Sequence, residues 1–156
     1  MKVTTLLLLV QDEPISKVLL GFKKVGFGKG KFTGIGGKVE EGETIETATV
    51  REMWEETGVT VAQKHLQSAG NITFFFPSKP DWNLIIHVFL TKHWQGTPTE
   101  SNEIIPQWFN VNELPLDTMW ADAPYWYHRV LKGEKIKATF TFHSDNETIY
   151  THQFHK

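Results

Sequence analysis

The chain has 156 residues, 40% of them hydrophobic and 22% charged, a composition that excludes a disordered or fibrous protein and a length that predicts one domain over residues 1–156. Its formal charge of −2 gives no basic surface for binding a nucleic acid polymer. The lack of cysteine excludes disulfides, thiolate metal sites and cysteine nucleophiles. Six Trp and eleven Phe either fill the core or line a pocket for a flat ligand.

The N-terminal part of the chain predicts two strands and a glycine-rich loop. The apolar run over residues 3–10 is too short to span a bilayer, which needs about 20 residues, and it lacks the flanking pattern of a signal peptide. We therefore expect a soluble cytoplasmic protein without a membrane partner. Strands are predicted at residues 3–10 and 17–24, joined by a turn at 11–16, and six glycines follow between positions 26 and 37.

The remainder predicts two helices among several strands. The first helix begins after Thr44, a good N-cap, and ends at Gly58. Further strands are predicted at residues 59–61, 70–76, 84–94 and 107–110, a second helix at 124–132, and a C-terminal hairpin at 136–142 and 148–154. The absence of regular βαβ alternation indicates an α+β protein, with helices packed against a mixed β-sheet.

Three carboxylates share one face of the first predicted helix. Glu52, Glu55 and Glu56 fall within an arc of about 100°, opposite an apolar side that includes Met53 and Trp54. Such an arc is either a solvated helix face or a site where a divalent cation relieves the repulsion, and oxygen ligands alone favour Mg²⁺ or Mn²⁺. The preceding glycine loop favours the second interpretation, since glycines let the backbone approach phosphates and cations closely.

Residues 37–59 resemble the Nudix box, which reads Gly, five residues, Glu, seven residues, Arg-Glu, an aliphatic residue, any residue, Glu-Glu, any residue, Gly and an aliphatic residue. Nine constrained positions within 23 residues are matched, with Met53 in an aliphatic slot: Gly37, Glu43, Arg51, Glu52, Met53, Glu55, Glu56, Gly58 and Val59. On these residues the chain is identified as a Nudix hydrolase. The resemblance implies an α/β/α sandwich with a mixed central sheet flanked by helices.

The resemblance also implies a reaction and its residues. Nudix enzymes hydrolyse a diphosphate linked to another group with Mg²⁺ or Mn²⁺. The implied metal ligands are the carbonyl of Gly36 and four carboxylates: Glu52, Glu55, Glu56 and Glu103. The same four carboxylates are the catalytic candidates. The general base stays open among Glu52, Glu56 and Glu103. Glu43 and Arg51 are expected to hold the loop and the helix together.

Segments outside the box, including residues 18–21, 26–28, 95–98 and 119–120, are similar to the MutT-type Nudix enzymes that act on oxidised purine nucleoside triphosphates. The implied reaction converts a substrate such as 8-oxo-dGTP to the monophosphate and pyrophosphate, which sanitises the nucleotide pool. The implied substrate-binding residues are Thr5, Lys23, Phe27, Thr33, Ile35, Gly36, Gly37, Lys38, Phe74, Phe76, Leu84, Trp120 and Asp122. We expect a monomer that binds a small-molecule nucleotide and no nucleic acid polymer.

Two positions depart from the MutT-type pattern, and several alternatives stay open. Thr33 stands where these enzymes carry Asn, and Ala123 replaces the second of two adjacent acids. Asp122 is either a purine-binding carboxyl or the N-cap of the second helix, and Trp120 belongs to the pocket or to the core. The alternative functions are a Nudix hydrolase for another substrate, such as a nucleotide sugar, and a non-catalytic nucleotide sensor.

Overall fold

A computed structural model describes residues 1–156 and contains eight strands and two α-helices. The strands are β1 Lys2–Gln11, β2 Lys17–Lys23, β3 Phe32–Thr33, β4 Gln67–Phe75, β5 Leu84–Thr91, β6 Ile104–Asn110, β7 Ile136–Phe142 and β8 Ile149–Phe154. The helices are α1 Ile45–Thr57 and α2 Ala123–Leu131, and single 3-10 turns lie at Gln63–His65, Pro80–Trp82 and Leu116–Thr118. No helix has the length and apolar character needed to cross a membrane.

The sheet is mixed, as predicted. Its strand order is β3-β2-β1-β5-β4-β7-β8, with β6 paired to β2. The β1–β5 and β4–β7 pairs are parallel, and the other pairs are antiparallel. The predicted β1–β2 hairpin is paired only next to its turn, at Val10↔Val18 and Gln11↔Lys17, because the rest of β1 pairs with β5.

The central strand β1 is buried on both faces, which explains its continuous apolar sequence. Leu6 and Leu8 point into a cluster that contains Trp126 of α2. Leu7 and Leu9 point the other way, into a cluster that contains Met53 of α1. The two helices therefore cover opposite faces of the sheet, and the predicted sandwich is confirmed.

Helix α1 has the predicted ends. The hydroxyl of Thr44 accepts a hydrogen bond from the Thr47 N–H at 3.1 Å, and Gly58 ends the helix at φ 78°, a left-handed conformation that favours glycine. The predicted apolar side is wrong at Trp54, which is 61% exposed. Met53 and Glu56, three residues apart, lie on the buried face of α1. Trp54 is rotated by about 100° from Met53 around the helix axis, so its indole points to solvent.

Four strand predictions differ from the structure by three residues or more. The strand predicted at 70–76 begins at Gln67, and the one predicted at 84–94 ends at Thr91. Residues 59–61 form no strand, since only Thr60 pairs, as an isolated bridge to Gln95; Val59 and Val61 are apolar because they pack in the core beside α1. The strand predicted at 107–110 begins earlier, at Ile104, and includes Pro106. Strand β6 pairs on one side only, with β2, and an edge strand tolerates the missing proline N–H.

Candidate active site

One cleft of about 270 Å³ collects residues from β1, the glycine-rich loop, β4, β5 and the start of α2. All thirteen residues predicted to bind substrate line it. The chain reaches this arrangement because β1 crosses the middle of the sheet, while the loop before α1 pairs back onto β1 through the bridges Leu7↔Ile35 and Thr4↔Lys38. Their roles in binding stay predictions, but the residues are brought together as a single site.

Aromatic rings form the walls of the cleft. Trp120 stacks on Phe27 with ring centroids 5.1 Å apart and an interplanar angle of 24°, and Phe76 meets both rings edge-on at 6.2 Å. Trp120 is half-buried and lines the cleft, so it is not a core residue alone. Gly28, at φ +83°, allows the loop to approach Trp120, because a Cβ at this position would lie 3.2 Å from the indole nitrogen.

A buried carboxyl lies at the floor of the cleft. Asp122 is 5% exposed, and its Oδ2 accepts a hydrogen bond from the Trp126 indole N–H at 2.7 Å. Asp122 occupies the N-cap position of α2, but its side chain does not cap the helix: it bonds no amide of α2, and its backbone, at φ −74° and ψ −23°, is helical instead of extended. Burial raises the pKa of Asp122 to about 6, against the opposing effect of the Trp126 hydrogen bond.

Two hydroxyl groups share this floor. The Thr5 Oγ1 atom is buried without a hydrogen-bond partner. The Tyr127 hydroxyl accepts a hydrogen bond from the Gly34 N–H at 3.2 Å, and burial raises the pKa of Tyr127 to about 12. Because buried polar groups are ordinarily paired, the unpaired Thr5 hydroxyl is a feature expected of a ligand site.

Arg51 connects the glycine-rich loop to α1. Its Nε and Nη2 atoms donate to the two carboxylate oxygens of Glu43 at 2.7 and 2.8 Å, and Nη2 also donates to the Lys38 carbonyl at 3.1 Å. The remaining nitrogen, Nη1, donates to Glu52 at 3.0 Å and to Glu55 at 3.1 Å. The hydrogen bonds from Arg51 lower the pKa of Glu43 to about 2. This is the loop-to-helix link expected of Glu43 and Arg51.

The charge of Glu103 contributes to raising the pKa values of two box glutamates, Glu52 and Glu56. Glu56 is 3% exposed, and burial, followed by the charges of Glu52 and Glu103, raises its pKa to about 8, against the opposing charge of Lys23. Burial also raises the pKa of Glu52. Glu55 also contributes to raising the pKa of Glu52, but its own side chain is half-exposed and paired with Arg51. Two of the three glutamates on this face of α1, Glu52 and Glu56, thus form one acidic group with Glu103.

No three carboxylates are arranged to hold a metal ion in this structure, but individual oxygens of the acidic group suit a divalent cation. Oε2 of Glu56 is buried without a partner, and the Gly36 carbonyl accepts no hydrogen bond from the chain. A Cβ on Gly37 would lie 2.6 Å from a carboxylate oxygen of Glu52, so a larger residue here would displace this carboxylate. An unpaired oxygen on a buried carboxyl, together with a free backbone carbonyl, is suited to a hard cation.

The family model described as the NUDIX domain matches residues 2–130. The chain belongs to the Nudix family. It is 43% identical over 148 residues to the oxidized purine nucleoside triphosphate hydrolase of Mus musculus, with 95% of this chain and 90% of the relative covered. It is 41% identical over 152 residues to the protein of that name from Danio rerio, with 97% and 93% covered.

A solved structure, the mutator MutT protein from Bacillus halodurans, superimposes on the chain with a TM-score of 0.80 at 26% identity, covering 99% of this chain and 97% of that one. The predicted family, its fold and the hydrolase class are thus confirmed. Nudix hydrolases use divalent metal ions, in keeping with the unpaired oxygens beside α1.

The Nudix cleft also contains residues that the sequence did not single out. Trp82 lies 5.2 Å from Phe27 between ring centroids, and Trp126 and Tyr127 complete the floor. Trp126 follows Asp122 by four residues, a helical spacing that could have indicated the pair. No local signal marks Tyr127, because its partner, Gly34, lies 93 positions earlier in the chain.

Proposed function

We propose that this Nudix enzyme hydrolyses oxidised purine nucleoside triphosphates such as 8-oxo-dGTP to the monophosphate and pyrophosphate, with Mg²⁺ as its cofactor and Mn²⁺ as a substitute. The observation that carries the proposal is the continuity of one cleft: Trp120 and Asp122, suited to a base, line the same cavity as Lys23 and Glu56, suited to phosphates and a cation. The names of the mouse and zebrafish relatives support the same substrate class.

The aromatic walls bind the flat face of the base. Stacking contributes about 1–3 kcal/mol per base, but every base has such a face, so the walls alone do not select a purine. Selection requires polar groups at the ring edge. Asp122 is the buried carboxyl at that position and accepts hydrogen bonds from N–H groups of the base, while the unpaired Thr5 hydroxyl offers a second polar contact.

The end of the cleft proposed to bind the triphosphate is formed by two lysines and the carboxylates of the acidic group. Lys23 and Lys38 line the cleft and neutralise phosphoryl oxygens. Glu52, Glu56 and Glu103, with the Gly36 carbonyl, would hold the cation, and Glu55 would join them by leaving Arg51. When bound, the cation neutralises charge on the phosphates and acidifies a water molecule.

A carboxylate then accepts the proton of the attacking water. Glu52 already accepts a hydrogen bond from Arg51, whereas Glu56 retains an oxygen without a partner. The exposed Glu103 side chain makes no ion pair. These contacts favour Glu56 or Glu103 over Glu52 as the general base.

The proposal is tested by pyrophosphate release from a panel of triphosphates that includes 8-oxo-dGTP, dGTP and dATP, with Mg²⁺ and with a chelator. Glu56→Gln is expected to lower kcat by about 100-fold or more, the range seen when one charge-stabilising group is removed from an active site. Glu113→Gln, an exposed glutamate outside this cleft, is the matched control. Near-normal turnover by Glu56→Gln would refute the site.

The panel also separates the alternative functions. Preferred hydrolysis of an added nucleotide sugar would indicate another Nudix substrate, and tight nucleotide binding without turnover would indicate a sensor. Release of phosphate instead of pyrophosphate would contradict the proposed position of cleavage. The monomeric state and the cytoplasmic location stay predictions.

A further inference from the structure

Tyr127 places a phenol at the floor of the cleft. It is 3% exposed, and its ring stacks on Trp126 with centroids 4.0 Å apart and an interplanar angle of 28°. The phenol oxygen accepts the hydrogen bond from the Gly34 N–H at 3.2 Å, which satisfies it as an acceptor. Tyr127 itself donates no hydrogen bond within the chain. Because its oxygen accepts from Gly34 and its O–H has no acceptor within the chain, the phenol has a proton that is available to a ligand.

Trp126 fixes this phenol relative to Asp122. The indole N–H donates to Asp122 at 2.7 Å, while the indole face stacks on Tyr127. Both neighbours of the indole line the cleft. The floor therefore presents two groups of opposite hydrogen-bonding character in a fixed relation: a carboxyl that accepts and a phenol that donates.

We propose that Tyr127 is a specificity-determining residue whose O–H donates to the C6 carbonyl oxygen of a guanine-type base, while Asp122 accepts from the N–H groups beside that carbonyl. The inference rests on the proposed function. A 6-oxo, 2-amino purine offers one acceptor followed by two N–H donors along this edge. An adenine-type base in the same pose places its C6 amino group opposite the Tyr127 O–H. Both groups are donors, so no hydrogen bond forms between them. The floor thus selects the guanine type.

The proposed role of Tyr127 also accounts for a departure from the MutT-type pattern. An Asn at position 33 would offer an amide N–H at the floor of the cleft. Thr33 lines the same cleft but has no amide group to donate. In this chain Tyr127 supplies the donor.

The test combines Tyr127→Phe with a change in the substrate. dGTP and 6-thio-dGTP differ only at C6, where sulfur is a weak acceptor, and dATP represents the adenine type. Removing the phenol is expected to lower kcat/KM for dGTP by about 5- to 100-fold and to change that for 6-thio-dGTP much less. The ratio of kcat/KM for dGTP to that for dATP should fall, and this ratio does not depend on the folded fraction of the variant.

Tyr125→Phe is the matched control, since Tyr125 is an exposed tyrosine of the same helix that packs against Phe140 and His152 outside the cleft. It should leave all three values unchanged. An equal loss on all three substrates in Tyr127→Phe, or no loss, would overturn the assignment while leaving the proposed function in place. If the wild-type protein hydrolyses none of the purine triphosphates, both proposals fail.

Discussion

Replacing Asp122 by Asn tests how strongly the floor of the cleft perturbs its carboxyl. Burial raises the pKa of Asp122 from an ordinary value of 3.8 to about 6. The folded protein therefore holds this proton more tightly than the unfolded chain, so the free energy of unfolding falls as the pH rises from about 4 to about 6. Above that window the buried carboxylate costs about 3 kcal/mol, since one pKa unit corresponds to about 1.4 kcal/mol.

Asn cannot ionise, but its carbonyl oxygen can still accept the hydrogen bond from Trp126. The stability of Asp122→Asn relative to the wild type should thus increase by about 3 kcal/mol between pH 4 and pH 8, with the change centred near pH 5. Urea unfolding at pH 4, 5, 6, 7 and 8 in the presence of a chelator measures this difference. Asp117→Asn, at an exposed position, controls for the loss of one negative charge. A stability difference that does not change with pH would refute the burial argument.

Three further substitutions probe other parts of the site. Trp120→Ala should lower kcat/KM for purine triphosphates by about 5- to 100-fold through a higher KM, because it removes a stacking surface; an unchanged KM in steady-state kinetics would exclude that wall. Gly36→Ala should destabilise the protein in urea by about 1–3 kcal/mol or more, because its Cβ would lie 1.8 Å from the Thr5 carbonyl oxygen; a wild-type midpoint would contradict this packing. Arg51→Lys removes the bidentate hydrogen bonds to Glu43 and should reduce kcat by about 10- to 100-fold, while circular dichroism shows a folded protein. Full activity would show that the Arg51–Glu43 contact is dispensable.

The features that the sequence predicted well depend on local chemistry. Helix α1 begins and ends where Thr44 and Gly58 indicate, because capping involves only the adjacent turn. The Nudix box was likewise recognisable from its spacing. By contrast, the exposure of Trp54 and the lack of a strand at residues 59–61 depend on which faces the sheet covers, and this is decided by packing between distant segments.

The floor of the cleft shows the same limit of sequence reasoning. The residues around Asp122 were compatible with either a helix cap or a base-binding carboxyl. Asp122 does precede α2, but its carboxyl accepts from Trp126 and caps no amide of the helix. Tyr127 was not predicted at all, since its hydroxyl acquires its partner only when the glycine-rich loop folds onto α2. Site residues that derive their role from contacts between distant segments require the structure.

The most direct test of the proposed function is the ratio of kcat/KM for 8-oxo-dGTP to that for dGTP, measured by pyrophosphate release with Mg²⁺, because this ratio defines discrimination between competing substrates. An enzyme that removes oxidised purines from the nucleotide pool should give a ratio well above one, with the monophosphate as the second product. A ratio near one, or no release of pyrophosphate from 8-oxo-dGTP, would contradict the proposed function.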